Sequence, residues 1–317
     1  MTAGVENSSK QMRSPRASSA RALIASPYAL LAFASLCWSG NHVVGRAIAG
    51  HVPPIGISML RWLLPSIVLW FVARRHYRKD WPLIRQHWRI MLCLGLTGGA
   101  LFSALQYVGL QYTGALNVSV LNSLTPVLIV AAGALIFRDR IAFVQVAGIA
   151  LSLIGVLVIV ARADLETLLR LQFNWGDLII LFNMALLAVY AAYLRLRPSI
   201  HWLSFLFLLG VISTAATLPF AIWEGVYGMR FQPTLLTAAT ILYVSIFPSV
   251  LAFAAWNQGI DVIGANRAGP FLHLIPVFTA LIATTLLGET LARFHIIGFV
   301  MILTGVWLAS RNPDGQS

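Results

Sequence analysis

Residues 109–156 match residues 259–306 at a constant offset of 150, with eleven identities in forty-eight ungapped pairs. Gly114-Ala115 recurs as Gly264-Ala265, Pro126-Val127 as Pro276-Val277, and Gly155-Val156 as Gly305-Val306. Asp139 and Glu289 also align, each just past a long apolar run. A chain that repeats itself in this way has to build two similar halves and set them against each other.

The halves are too apolar for water. Hydrophobic residues make up 59% of the chain, charged residues 10%, and mean hydropathy is +0.81. A soluble domain carries about 25% charge, whereas continuous apolar runs of about 20 residues cross a bilayer as helices. Ten such runs lie near 28–48, 55–74, 89–110, 115–137, 142–161, 175–195, 201–223, 236–258, 264–287 and 293–310. They are continuously apolar rather than alternating, which argues against a barrel. The predicted class is an all-α polytopic membrane protein. A weak repeat inside such a chain is a signature of secondary transporters.

The net charge of +12 resides in short loops between the runs, so it points to topology and not to nucleic acid. With the N-terminus inside, sixteen Lys and Arg fall on the inner side against four outside. The densest inner group is the Arg74–Arg89 loop. Both termini are therefore expected in the cytoplasm of a bacterial inner membrane. Residues 1–27 are expected to be a disordered basic tail, 28–161 and 175–310 two five-helix repeats, 162–174 a linker and 311–317 a second tail. Five helices per repeat is odd, so the second repeat enters the membrane inverted.

No phosphate-binding GxxxxGK[ST], HExxH, GxSxG or CxxC motif occurs, and Cys37 and Cys93 sit inside apolar runs. No cofactor and no metal are expected. The polar residues at membrane depth carry the functional reading. A proline within a helix frees the carbonyl four residues earlier. Pro126 would free that of Asn122 and Pro276 that of Leu272, beside Ser123, Thr125 and His273. In the first run Trp38 and Asn41 share a face, with His42 beside it. Gln106-Tyr107 aligns with Trp256-Asn257 at the same offset, and Tyr190 and Tyr193 lie near one another in the sixth run. Trp38, Asn41, Tyr107, Asn122, Ser123, Tyr190, Tyr193, Trp256, Asn257 and His273 are the candidate substrate contacts, with Pro126 and Pro276 as helix breaks. Arg46 and Arg61 would either snorkel outward or pair with Glu289. With His42, these three residues are candidates for coupling or an outer gate.

The motifs resemble the drug/metabolite transporter superfamily, in its EamA-type ten-helix branch. They comprise Trp38-Ser39-Gly40-Asn41, Arg61-Trp62, Tyr112-Thr113-Gly114-Ala115 and Thr125-Pro126-Val127. In the second half they are Ala255-Trp256-Asn257-Gln258-Gly259, Pro276-Val277 and Gly288-Glu289. Ala254-Ala255-Trp256-Asn257 and Tyr190-Ala191-Ala192-Tyr193 look like YddG-type aromatic amino-acid and metabolite exporters, though Ser123 and Thr125 stand where some members carry bulky aromatics. The resemblance implies a basket of helices around a central cavity and export of amino acids by alternating access. Its partners would be the lipid bilayer and a small-molecule substrate, with the chain a monomer or weak homodimer. The same fold carrying sugars, nucleotide-sugars, quaternary amines or lipids is the alternative, and an intramembrane enzyme is a more distant one.

Overall fold

A computed structural model of the protein describes residues 26–48, 52–113, 121–161, 174–228, 230–232, 234–287 and 293–310, with positions 118, 164, 166 and 169. Among them the regular structure is entirely helical: α1 (Pro27–Ala47), α2 (Pro54–Val72), α3 (Arg74–Gln86), α4 (Trp88–Tyr112), α5 (Thr125–Phe137), α6 (Phe143–Val160), α7 (Trp175–Tyr193), α8 (Trp202–Tyr227), α9 (Leu235–Ile263), α10 (Leu274–Leu287) and α11 (Arg293–Ser310). Each of the ten apolar runs contains one of these helices. Seven of them, α2, α4, α6, α7, α8, α9 and α11, are long and apolar enough to cross a membrane. Large apolar side chains such as Phe71, Leu135 and Phe143 face outward, whereas Asn41, Arg61, Gln106 and Asn183 are buried. That inside-out distribution suits a lipid surround.

The Arg74–Arg89 stretch is more than a loop. It forms the amphipathic helix α3, whose Ile84 is buried while most of its basic residues face outward. His201, which caps α8, donates its backbone N–H to Asp80 at 3.0 Å, and its ring stacks on His76 with centroids 3.8 Å apart.

The two halves pack by exchange. α1 lies against α9 as α7 lies against α4, and α5 meets α7 as α10 meets α1. The equivalent helices α6 and α11 lie directly against each other along a glycine seam. A Cβ on Gly148 would stand 2.7 Å from the Gly305 carbonyl oxygen, and one on Gly155 would stand 2.9 Å from that of Gly298. Residue number rises along one helix as it falls along the other, so α6 and α11 are antiparallel. The equivalent pair α2 and α8 is also antiparallel: Gly210 packs on Ser66, while Gly56 donates its N–H to Glu224 at 2.8 Å. Equivalent helices that run antiparallel make the second half an inverted copy of the first.

The inversion extends to helix defects. α4 is π-helical over Gly95–Leu101 and α9 over Ile246–Leu251, nearly the same stretch displaced by the repeat offset. Wide π turns disturb the carbonyl ladder, often at functional sites. Small residues let neighbours close on these stretches, as Gly98 does for the Tyr190 ring.

Candidate functional site

An aromatic cluster fills the middle of the molecule. The Trp38 ring lies 5.3 Å from Trp256 and 5.7 Å from Phe253, which also meets Trp62 and Tyr190 edge to face. Trp38 and Trp62 are anchored by their indole N–H groups, on the Pro248 carbonyl at 3.1 Å and on Ser103 Oγ at 3.1 Å. Trp256 is fully buried, yet its Nε1–H has no partner among the described residues. A buried indole normally finds an acceptor.

Two tyrosine–asparagine hydrogen bonds flank the cluster. Tyr107 of α4 donates to Asn41 Oδ1 of α1 at 2.8 Å. Tyr190 of α7 donates to Asn257 Oδ1 of α9 at 2.6 Å. Tyr107 and Asn257 are equivalent positions, and α1 and α7 are equivalent helices, so each half supplies one whole pair, with the tyrosine and asparagine exchanged between the two helices. The Asn257 amide N–H₂ is left unpaired. Asn183 and Gln106 form a third pair across α7 and α4 at 3.0 Å, leaving Gln106 Nε2 and Asn183 Oδ1 without partners.

Arg61 does not snorkel. It is 2% exposed and donates to Ser249 Oγ at 2.7 Å, to the Pro248 carbonyl at 3.3 Å and to Tyr107 OH at 3.4 Å. The π stretch of α9 supplies the first two acceptors, which hold the guanidinium inside the bundle. The Pro248 and Ser249 contribution carries no motif, so it was not evident from the sequence.

At the α5 break the freed carbonyl of Asn122 accepts the Thr125 hydroxyl at 2.7 Å, and Pro126 opens the helix instead of interrupting it. Pro276 follows a 3-10 segment, Gly269–His273. His273 is 1% exposed, with Nδ1 2.6 Å from Ser152 Oγ and Nε2 2.8 Å from the Ser123 carbonyl oxygen. A carbonyl can only accept, so Nε2 carries the proton and Nδ1 accepts from Ser152. The ring thereby joins the 3-10 segment before α10, α6 and the end of the α5 break. Asn122 is half-buried, with Oδ1 unpaired.

Tyr193 stands apart from the cluster, edge to face with Phe137 at 5.7 Å. His42 is half-buried on α1. The Arg46 side chain and Glu289 lie outside the described residues. Beyond Tyr190 and Asn257, the ends of α5, α7 and α9 enclose a cavity of about 1060 Å³ whose lining includes Ala191, Leu194, Ile260 and Arg140. Two ion pairs cross its walls. Arg195 grips Asp139 through both nitrogens at 2.8 and 2.6 Å, and Arg197 pairs with Asp261. The Arg195 hydrogen bonds hold the Asp139 carboxyl below the usual carboxylate range.

Comparison with known proteins places this arrangement. The model of the EamA-like transporter family matches residues 25–161 and again 174–311. The chain belongs to the EamA-like transporter family. Its relatives include the uncharacterized transporter YyaM of Bacillus subtilis, 28% identical over 89% of this chain and 93% of that protein. Another is the probable amino-acid metabolite efflux pump of Salmonella typhimurium, 26% identical over 86% of this chain and 90% of that protein. A third is the probable terminal-alkyne amino-acid exporter of Streptantibioticus cattleyicolor, 24% identical over 82% and 85%. A solved structure with 18% identity superposes at a TM-score of 0.69, covering 89% of this chain and 96% of that one, and so shares the fold. As an EamA-like protein of the drug/metabolite type, the chain is a multi-pass membrane transporter that works in a lipid bilayer on a small molecule.

Proposed function

We propose that this EamA-like protein exports amino acids, above all aromatic and hydrophobic ones, and related small metabolites across a bacterial inner membrane by alternating access. In this reading ten helices span the bilayer as two inverted repeats, 28–161 and 175–310, with both termini cytoplasmic. The chain acts as a monomer or weak homodimer, without cofactor or nucleic acid. The observation that carries it is the buried aromatic cluster between two exchange-related tyrosine–asparagine closures, Asn41–Tyr107 and Tyr190–Asn257. Aromatic faces suit an apolar side chain, and the unpaired amides of Asn257, Gln106 and Asn122 suit the polar end of a small solute.

The basic loops put the Tyr190–Asn257 closure and the charged cavity on the cytoplasmic side. Cargo enters that cavity, passes between α7 and α9 when Tyr190 and Asn257 part, and meets Trp38 and Trp256. Separation of Asn41 from Tyr107 then releases it outward. Two halves of one fold, inverted, have two arrangements of similar energy, which is what exchange of open sides requires. His273, Ser123 and the breaks before Pro126 and Pro276 lie where the halves pivot.

The test is counterflow in liposomes holding the purified protein. Vesicles loaded with unlabelled phenylalanine should accumulate labelled phenylalanine, tryptophan or leucine transiently above equilibrium. Absence of counterflow for every amino acid, from protein that is monodisperse and folded, would remove this cargo.

A further inference from the structure

Among the described residues Arg61 is a buried cation without an anion. Its hydrogen-bond partners, Ser249, Tyr107 and the Pro248 carbonyl, are all neutral, and among the described residues no Asp or Glu pairs with it. It lies eight residues into α2, roughly 10 Å from that helix end at about 1.5 Å per residue. A charge buried at such depth is costly, and where it occurs it marks a pathway or binds a counter-ion. A purely structural role would need only a neutral donor. At the exchanged place in the other half, where α8 meets the π stretch of α4, Ser213 packs on Gly99. The symmetric architecture is therefore built there without a cation.

The guanidinium also stands beside the aromatic cluster. Arg61 Nη2 and Trp38 Nε1 donate to the same Pro248 carbonyl, at 3.3 and 3.1 Å, so cation and indole converge on one point. Asn41 Oδ1 lies one hydrogen bond further on, through Tyr107 OH. A cation for a carboxylate, an amide oxygen for an ammonium and indole rings for a side chain are thus set within the span of one amino acid.

We propose that Arg61 is the docking point for a carboxylate of the cargo, so that the transported solutes are amphipathic acids and amino acids and not amines. Among the described residues the guanidinium makes three contacts to acceptors in this conformation, the two to Tyr107 and Pro248 being long. Five N–H groups are available. A carboxylate would take the free ones and the long ones in a bidentate grip. Loosening of Arg61 from Tyr107 would weaken the Asn41–Tyr107 closure at the same moment, so that loaded cargo favours opening on that side.

This inference rests on the amino-acid reading above, and the experiment separates the two. Proteoliposomes of the wild-type protein are assayed for labelled phenylalanine flux in competition with phenylalaninamide, which lacks the carboxylate charge, and with 3-phenylpropionate, which lacks the ammonium. The acid should compete and the amide should be weaker by about ten- to a hundredfold, the size of a charge-assisted hydrogen bond. Arg61→Gln should abolish that preference, and Arg61→Lys should retain most of it. Phenylalanine flux with equal competition by the amide overturns the docking role and leaves the amino-acid reading standing. No flux of any amino acid overturns the reading itself. If Arg61→Gln fails to fold, Arg61→Ala assayed with added guanidinium replaces it: carboxylate preference lost in Arg61→Ala and restored by guanidinium supports the docking role, and preference kept without guanidinium overturns it.

Discussion

His273 donates its Nε2–H to the carbonyl oxygen of Ser123 at 2.8 Å, and the two residues occupy equivalent positions 150 apart in the repeat. Equivalent points of two copies can touch only where the axis relating them passes. That hydrogen bond therefore marks the pseudo-two-fold axis of the molecule. The glycine seam between α6 and α11 continues the axis, because Gly148 meets Gly305 as Gly155 meets Gly298.

Replacing His273 by Leu leaves the Ser123 carbonyl and the Ser152 hydroxyl buried with one partner fewer. The expected cost is about 1–3 kcal/mol, read as a lowered thermal midpoint of the detergent-purified protein. Ser152→Ala combined with His273→Leu should cost less than the sum of the two changes, since they share one contact. Strict additivity would mean that the ring does not join these helices.

The seam tolerates no side chain. A Cβ on Gly305 would fall 2.5 Å from both the Gly148 carbonyl oxygen and the Ser152 amide nitrogen, which are backbone atoms that cannot step aside. Gly305→Val should abolish extraction of monodisperse protein, whereas Gly225→Ala, at a position with no neighbour within 4 Å, should not. Size-exclusion profiles of the two variants check this.

Removal of the Asp139 charge should loosen the charged cavity at the ends of α5, α7 and α9. Asp139→Asn releases Arg195, and a cysteine placed at Ala191 should react faster with a thiol reagent applied from that side, by a few-fold. The charge exchange of Asp139→Arg with Arg195→Asp should restore the slow rate. Because the pair is partly exposed, the effect on global stability should stay below about 1 kcal/mol.

Docking of α3 should depend on pH. Burial, and then the stacked His76 ring, push the His201 imidazole below its ordinary value, while the Asp80 carboxylate partly opposes this. The folded state therefore disfavours protonation. This contribution is complete above about pH 6.5 and is lost as pH falls below that value. The protection factors of the Arg74–Gln86 amides, which allow for slower intrinsic exchange in acid, should fall from pH 8 to 5 in the wild type, and much less in His201→Gln. Identical pH profiles would remove the pair as the cause.

Sequence periodicity was enough to place every helix-bearing apolar run, because lipid forces continuous apolar segments into helices. The repeat offset aligned Ser123 with His273, but that the two touch came only from the packing. The Arg74–Arg89 helix was hidden because a short amphipathic segment and a basic loop share a composition. The π stretches were hidden because i→i+5 bonding leaves no residue signature. Arg61 was the main surprise. Its burial depends on Pro248 and Ser249, 187 and 188 residues away in sequence, and no local pattern reports such partners. Tyr190 and Asn257 stood out by residue type, but their pairing came only from packing.

The central claim is that the Asn41–Tyr107 and Tyr190–Asn257 closures open in alternation. The direct measurement uses protein with Cys37 and Cys93 replaced by Ala and a single cysteine at Val44, beside Tyr107, or at Ala191, beside Tyr190. Each is reacted with a membrane-impermeant thiol reagent from its own side. Tyr107→Phe should raise labelling at Val44→Cys and lower it at Ala191→Cys, and Tyr190→Phe should do the reverse. If either change raises labelling at both sites together, or leaves both unaltered, the two closures are not alternating gates.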